Sequence, residues 1–499
     1  MRENGLLQKN SHPSLHHPRE LFYILSDTAS GKRRISTDTY FNRFSVTFWS
    51  AASQSDSFQI VVKSEPYSAI SVLGTLKGDT VTLNQSICDG SGVFSFVFKG
   101  DNFSKIWLEL EISEETQLSS LDCSYYVLDK AWKSKSCSIV ICTFKNFSMI
   151  ENSLKKLLNE YSPRENNLHV IIVDQGNQII DFEGFENVTL IKQKNLGGSG
   201  GFTRGMYESV SRKLQGVILM DDDIDFIPEV ILRVMRAASV SDQLLAIPSQ
   251  MLDKQEPNMI LNEGEYVDLK KLWTMPIAES ERNFHANATM KSNAPIGMIP
   301  WWCSYISCDL IKSVKYPLPL FLHWDDMEYS LRIQNIEEAR IMKMSGFGVW
   351  HEPFAKKRTL GIIYLDTRNR LIGSCIHDAK NLHIVITISK ILIKSILKKR
   401  FANNKAILLG VNDFLQGPQV LETDNLEKIH VLVTSPVSEN SNLVRFDSIE
   451  FLLRILCSAV GILKLVFLLQ CVKRRWRESV DILSSESFWV GHWGSRDES

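Results

Sequence analysis

The sequence predicts a parallel α/β domain, with an all-β domain in front of it and a basic helical region behind. Three observations carry this. Between residues 36 and 132, short runs such as "FQIVVKS", "VTLNQSI" and "VFSFVFKG" alternate apolar with polar and are punctuated by Gly, Asp, Asn and Ser. From about residue 137 the β-rich runs "SCSIVICTF", "LHVIIVDQG" and "GVILMDDD" are separated by helical patterns such as "MIENSLKKLLNEY". Past residue 355 the chain turns helical and lysine-rich.

Residues 1–35 are polar, lack an apolar signal core, and are expected as an N-terminal segment preceding the β domain. Residues 36–132 are expected as a jelly-roll-like sandwich, with "RFSVTFWS" as one of its strands. A sugar-binding and a purely structural module both fit that pattern. Residues 133–373 form the α/β unit. Its unbroken apolar strands, such as Val170–Val173, suit a sheet covered on both faces. Asp174 and the cluster at Asp221 fall just past strand C-terminal ends, where open α/β sheets bind ligands.

Residues 374–499 are expected as a helical region that lies on a membrane surface. Ile388, Leu392 and Ile396 share one helical face, with Lys390, Lys394 and Lys398 roughly opposite. A packing helix with a solvated lysine face fits equally well. The apolar run 455–472 contains Lys464 and ends in Lys473, Arg474, Arg475, Trp476 and Arg477. That sequence reads as a peripheral interfacial anchor rather than a span.

Composition narrows the function classes. The 499 residues carry 56 basic and 57 acidic side chains, so no whole-chain field points to nucleic acid. The nine cysteines contain no C-x-x-C pair, which supports neither a zinc site nor a disulfide framework and is simplest for a reducing cytoplasm.

The densest chemical signal is "VILMDDDIDF", with Asp221, Asp222, Asp223 and Asp225 crowded past an apolar strand. An EF-hand loop fails, because its sixth and twelfth positions would be Phe226 and Leu232. Carboxylates at a strand end suit a hard cation that also holds phosphate oxygens. The run "KNLGGSGGFTRGM" is glycine-rich but is neither a P-loop nor G-x-G-x-x-G. "LHWDDMEYSLR" supplies a second acid group, Asp325, Asp326 and Glu328, fit for a general base or for a helix start. His351 in "GVWHEPF" carries no weight alone.

The order "TDTYFNRFSVTFW", "VDQGNQ", "NLGGSGGFTRG", "MDDDID", "PWW", "HWDDMEYSLR", "VWHEP", "YLDTRNRLI" resembles the bacterial galactofuranosyltransferases of glycosyltransferase family 2, among them the mycobacterial enzymes that build galactan. The resemblance covers about residues 36–373 and implies a GT-A (Rossmann-like) fold and a nucleotide-sugar donor, UDP-galactofuranose. It implies that Asp221, Asp223 and His351 hold Mn²⁺ or Mg²⁺ and that Asp326 is the general base, with Asp325 beside it on the acceptor side. Gln175 and Asn195 match nucleotide contacts, and Asp222 and Lys145 join them as donor-site residues. Trp301 and Trp302 match an aromatic pair lining the sugar. Tyr364, Arg368 and Asn369 match a family run to which no role attaches.

The implied reaction is inverting transfer to a lipid-linked glycan on the cytoplasmic face of a bacterial plasma membrane, by a peripheral protein that leaves a homo-oligomer open. Two alternatives remain: a family 2 enzyme using UDP-galactopyranose or dTDP-rhamnose, and a non-catalytic glycan-binding scaffold. The intact DDD, WDD and His351 weigh against the scaffold.

Overall fold

The computed structural model describes residues 5–12, 17, 19–28, 32–64, 67–87, 92–100, 102–112, 121–130, 134–160, 167–179, 187–276, 297–352, 359–422 and 448–493. Its centre is a seven-stranded sheet ordered Val188–Lys192, Leu168–Asp174, Cys137–Thr143, Gly216–Asp221, Cys303–Ser307, Leu244–Pro248, Ala339–Ile341. The first four strands are parallel. Cys303–Ser307 runs antiparallel to both of its neighbours, so the sheet is mixed rather than parallel throughout. Ile139, Ile141, Val170, Ile172, Ile218 and Met220 enter one apolar core, while Val140, Ile171, Val173, Val217 and Leu219 enter another. This is the two-faced burial that unbroken apolar strands require.

The glycine run opens the helix Gly197–Ser211. A Cβ at Gly201 would collide with Cys142 Sγ, and one at Gly205 with Val140. These glycines therefore let the helix lie directly on the sheet, which is a packing role.

The N-terminal domain is two sheets. One orders Leu6–Lys9, Asp122–Val127, Ser57–Ser64, Gly92–Lys99; the other runs Ile24–Asp27, Arg33–Ser36, Phe103–Ile112, Tyr67–Leu76, Asp79–Ile87. Residues 1–35, expected as a segment outside the β domain, instead supply three of these strands, and Leu6, Leu7, Leu21 and Phe22 are fully buried. Their polarity was misleading because the few apolar residues are spaced to enter the core. "RFSVTFWS" also departs from expectation. Only Phe44–Ser45 is strand, and Val46–Ser53 is a helix whose first turn is capped by Ser45 Oγ accepting from the Phe48 amide. Helical spacing buries Val46, Trp49, Ala52 and Ser53 together, which overrides the β propensity of Val and Thr.

The sandwich and the α/β unit share one continuous apolar core, which runs from Phe58 and Ile70 through Phe41 to Val230 and Ile218. Its polar rivet is Arg233, fully buried, donating to the carbonyls of Phe41 (2.8 Å) and Lys9 (3.1 Å) and to Ser11 Oγ (3.4 Å). Tyr40, from "TDTYFNRF", bonds Gln250 on the strand beside Gly348–His351.

Helices Leu360–Ile376, Asn381–Leu397, Phe401–Gln416 and Ser448–Leu483 build a second core. Ile388 and Leu392, expected on a membrane, are buried in it, Ile396 is buried as well, and the lysines opposite are exposed. The basic run is corrected likewise. Trp476 is fully buried, donates its indole N–H to the Phe414 carbonyl (3.1 Å) and stacks on Phe414. Lys473 donates to Ala379 O (2.8 Å) and Arg477 to Cys375 O (3.0 Å). These carbonyls sit at or just past helix C-termini, where cations are stabilising. Residues 423–447 of the expected helical region lie outside the described ones.

Arg233→Ala should cost about 2–4 kcal/mol, since it strands buried carbonyls and leaves a cavity at the seam. Urea unfolding of the full chain checks this.

Candidate active site

Strand Gly216–Asp221 delivers Asp221 to the edge of the cleft, its amide held by the Trp302 carbonyl at 3.0 Å. The chain then doubles against the strand Gly348–His351. Asp225 and Trp350 exchange both backbone hydrogen bonds (2.9 and 2.8 Å), and Gln250–Asp253 pairs with that strand's other edge. His351 thereby meets the aspartates. Its Nε2 lies 3.0 Å from Asp223 Oδ1 and 3.6 Å from Asp221 Oδ2. One ligand atom from each of the three falls within 4.8 Å of the others.

The donor set fits a divalent cation. His351 Nδ1–H donates to the Glu352 carbonyl at 2.6 Å, which fixes that tautomer and turns Nε2 to the carboxylates. Burial by itself would lower the His351 pKa, but hydrogen bonds and charge from Asp221 and Asp223 overcome it and raise it from 6.5 to about 9. A proton on this imidazole thus offsets the two acids when no cation does. Lys254 bonds the Asp223 carbonyl and orders the same turn.

Asp225, which had no assigned use in the sequence, is structural. It accepts from Lys156 Nζ and pairs with His17, whose ring stacks on Trp350 at 3.9 Å and 9°. Burial opposes its ionisation, yet the hydrogen bonds from His17 and Lys156 hold its carboxyl well below the usual range. Sequence reasoning missed His17, since histidines in a polar segment give no sign of a partner more than 200 residues away.

The second acid group begins the helix Asp325–Gln334. Burial foremost, then the charge of Asp221, pushes Asp325 up to about 7. Burial, followed by the charges of Asp325, Glu265 and Asp221, pushes Asp326 well above its ordinary value. The two groups of acids therefore share one field. Asp325 Oδ2 is turned toward Gly198 in the glycine-rich helix start, and Asp326 is the acid next to Glu265. Glu328 is fully buried between Arg332 (2.9 Å) and His377 (3.2 Å), a structural ion pair.

The other residues expected at the donor divide. Lys145 is exposed at the end of strand Cys137–Thr143, its amide beside Gly176. Asp222 accepts from Thr143 Oγ1 (2.6 Å) and Asn146 Nδ2 (3.2 Å), and burial leads the effects that raise it to about 6. Gln175 spends its amide inside the protein, donating to Gly197 O (2.9 Å) and accepting from Leu196 N (2.8 Å) and Gln193 Nε2 (3.0 Å). Asn195 Oδ1 accepts from the Gly197 amide (3.0 Å), so both residues shape the turn. Asp174 likewise caps a turn, accepting from the amides of Gly176, Gln178 and Ile179. Trp301, expected against the sugar, is core: it packs between Phe202 and Tyr329 because it points to the sheet's other face. Trp302 lines a small cavity with Pro248, Glu263, Glu265 and Pro300.

The fold is of the GT-A type, and the sequence comparisons agree with that class. The model of "Glycosyl transferase family 2" matches residues 138–311. Beyond that match, the chain is similar to mycobacterial galactofuranosyltransferases. It is 27% identical over 418 residues to the galactofuranosyltransferase GlfT2 of Mycolicibacterium smegmatis, covering 78% of this chain and 65% of that one. It is 27% identical over 340 residues to its Mycobacterium tuberculosis counterpart, covering 63% and 53%. The chain thus spans less than two thirds of either relative. The solved structure of S. aureus TarS 1–349 in complex with UDP-GlcNAc overlays with a TM-score of 0.37 at 14% identity, over 69% of this chain and 91% of that one. That likeness is too loose to carry residues across.

A histidine NMR titration should place His351 near pH 9 in the cation-free protein, and Asp223→Asn should lower it by about a unit. The raised pKa stabilises the fold fully below pH 6.5, and this is lost as pH rises through about 9. Unfolding midpoints of wild type against His351→Gln across that window check the sign.

Proposed function

We propose that this protein transfers galactofuranose from UDP-galactofuranose to a hydroxyl of a lipid-linked glycan, with inversion at the anomeric carbon. The observation that carries the reading is the pairing of an Asp221–Asp223–His351 cation cluster with buried, proton-hungry acids at Asp325 and Asp326. The donor identity is supported by the two mycobacterial relatives.

Asp221, Asp223 and His351 would hold Mn²⁺ or Mg²⁺. Such an ion, when bound, neutralises charge on the departing diphosphate. Lys145, exposed at the strand end, adds a positive charge on the same side. Asp326 takes the proton of the acceptor hydroxyl as its oxygen bonds the anomeric carbon and the bond from that carbon to UDP breaks. Asp325 stands beside it on the acceptor side. Compensating the charge of Asp221 removes one of the repulsions that raise Asp326 and so favours the ionised base.

The membrane surface we propose is not the basic face expected from the sequence. On the helix Ser448–Leu483, Leu453, Leu456, Val460, Leu463 and Phe467 follow at helical spacing and are 53%, 60%, 43%, 55% and 78% exposed. Leu382, Ile393 and Leu397 extend exposed apolar surface onto the neighbouring helix. A patch of this kind, bordered by Lys390, Lys394 and Lys398, suits an anionic bilayer. It would place the enzyme peripherally on the cytoplasmic face, where a lipid-linked acceptor is within reach.

Asp326→Asn should lower kcat by ~10³-fold while UDP affinity in Mn²⁺ holds, measured by transfer assay and calorimetry; lost UDP binding would falsify the base assignment. The acid limb of the rate profile should lie above the ordinary carboxylate range, because burial and then the charge of Asp325 raise Asp326. Leu463→Glu with Phe467→Glu should abolish flotation with anionic vesicles at unchanged activity toward a soluble acceptor; continued flotation would locate the contact elsewhere.

A further inference from the structure

Just before the second acid group the backbone turns through an unusual path. Phe321, His323 and Trp324 all have positive φ, 75°, 62° and 66°, although each is bulky. Such residues persist only where the surroundings over-determine them. Trp324 is the last residue before the helix that begins with Asp325 and Asp326, so this turn sets where both carboxylates point.

The restraint comes from Asn369 and Arg368, which are 0% and 2% exposed on the helix Leu360–Ile376. Asn369 Nδ2 lies 2.9, 2.8 and 2.8 Å from the carbonyls of Leu320, Leu322 and His323. Arg368 Nε donates to Asn369 Oδ1 (2.9 Å). Because guanidinium has no acceptor, that bond orients the amide with its NH₂ toward the turn. Arg368 Nη2 donates to the Leu320 carbonyl as well (2.9 Å). From the other side Ser199 holds Phe321 through both backbone directions: its amide donates to Phe321 O (3.1 Å) and its Oγ accepts from Phe321 N (2.8 Å). Arg368 is anchored in turn by Tyr364, whose hydroxyl donates to Asp413 Oδ2 at 2.7 Å.

We infer that Asn369, oriented by Arg368, is a positioning residue for the acid pair: it gathers three carbonyls of a left-handed turn and so fixes Asp325 and Asp326 in the cleft. This rests on the reading of Asp326 as base. It gives "TRNR" a use, and it ties the geometry of the base through Tyr364 and Asp413 to the helix Phe401–Gln416.

The test is Asn369→Asp, which keeps shape and the Arg368 contact but sets an oxygen against three carbonyls. With the full-length protein and whichever donor the wild type uses, kcat should drop ~100-fold, with donor KM and UDP affinity within about threefold. Hydrogen exchange of the peptide spanning 318–328 should quicken while the sandwich and central sheet keep wild-type protection. Should the aspartate variant fail to fold, Asn369→Ala, which only deletes the donors, carries the same expectation at about 10-fold. Unchanged exchange in the turn, or a kcat within about threefold of wild type, overturns the inference. A wild type inert with every nucleotide sugar sinks the functional reading instead, and exchange in the turn still decides whether Asn369 holds it.

Discussion

Mutual repulsion among carboxylates is the constraint around which this molecule is arranged. Asp221 and the pair Asp325 and Asp326 come from two distant parts of the chain, and the charge of Asp221 helps to raise both members of that pair. Left to itself such a group would spread apart or take up protons. The protein prevents the first with backbone rather than with counter-charge. The Asp225–Trp350 bridge closes the aspartate turn on His351, and the amide of Asn369 closes the turn before Asp325. The second response, protonation, is visible in the raised pKa values of His351, Asp325 and Asp326. A site in that condition is prepared for a cation.

The N-terminal sandwich then reads as a buttress. Its core is continuous with that of the α/β unit, Arg233 rivets the seam, and Tyr40 reaches the strand that neighbours His351. His17 extends the same support to Trp350 and Asp225. Because these contacts bear on the cation cluster, damage at the seam is expected to be felt in the cleft.

In the helical region one helix serves two surfaces. The inner row of Ser448–Leu483, including Leu465, Leu469, Val472 and Trp476, completes the second core. Its outer row at the other end, Leu453 to Phe467, remains apolar and exposed. Apolar residues all round a helix are uneconomical unless both sides meet a non-aqueous neighbour. The inner contact also reaches the active site, since this core includes Tyr364 and Trp324.

The sequence by itself determined the things written in short stretches. Period-two and unbroken apolar runs identified the sandwich and the central sheet, and a dense acid cluster after "VILM" marked the cleft, because these signals are local. Which acids, histidines and tryptophans converge is a matter of distance in space, and only the tertiary structure decided it. Trp301 and Trp302 are adjacent in the chain yet enter different cores, since neighbouring residues point to opposite sides. Gln175 looked like a ligand contact and is a turn clamp, because its partners lie about twenty residues on. The basic run at Trp476 looked like a membrane anchor, yet Lys473, Trp476 and Arg477 bond carbonyls at or just past the C-termini of other helices. Asn369 gave no local sign of its use: its three acceptors lie between 46 and 49 residues away in the chain.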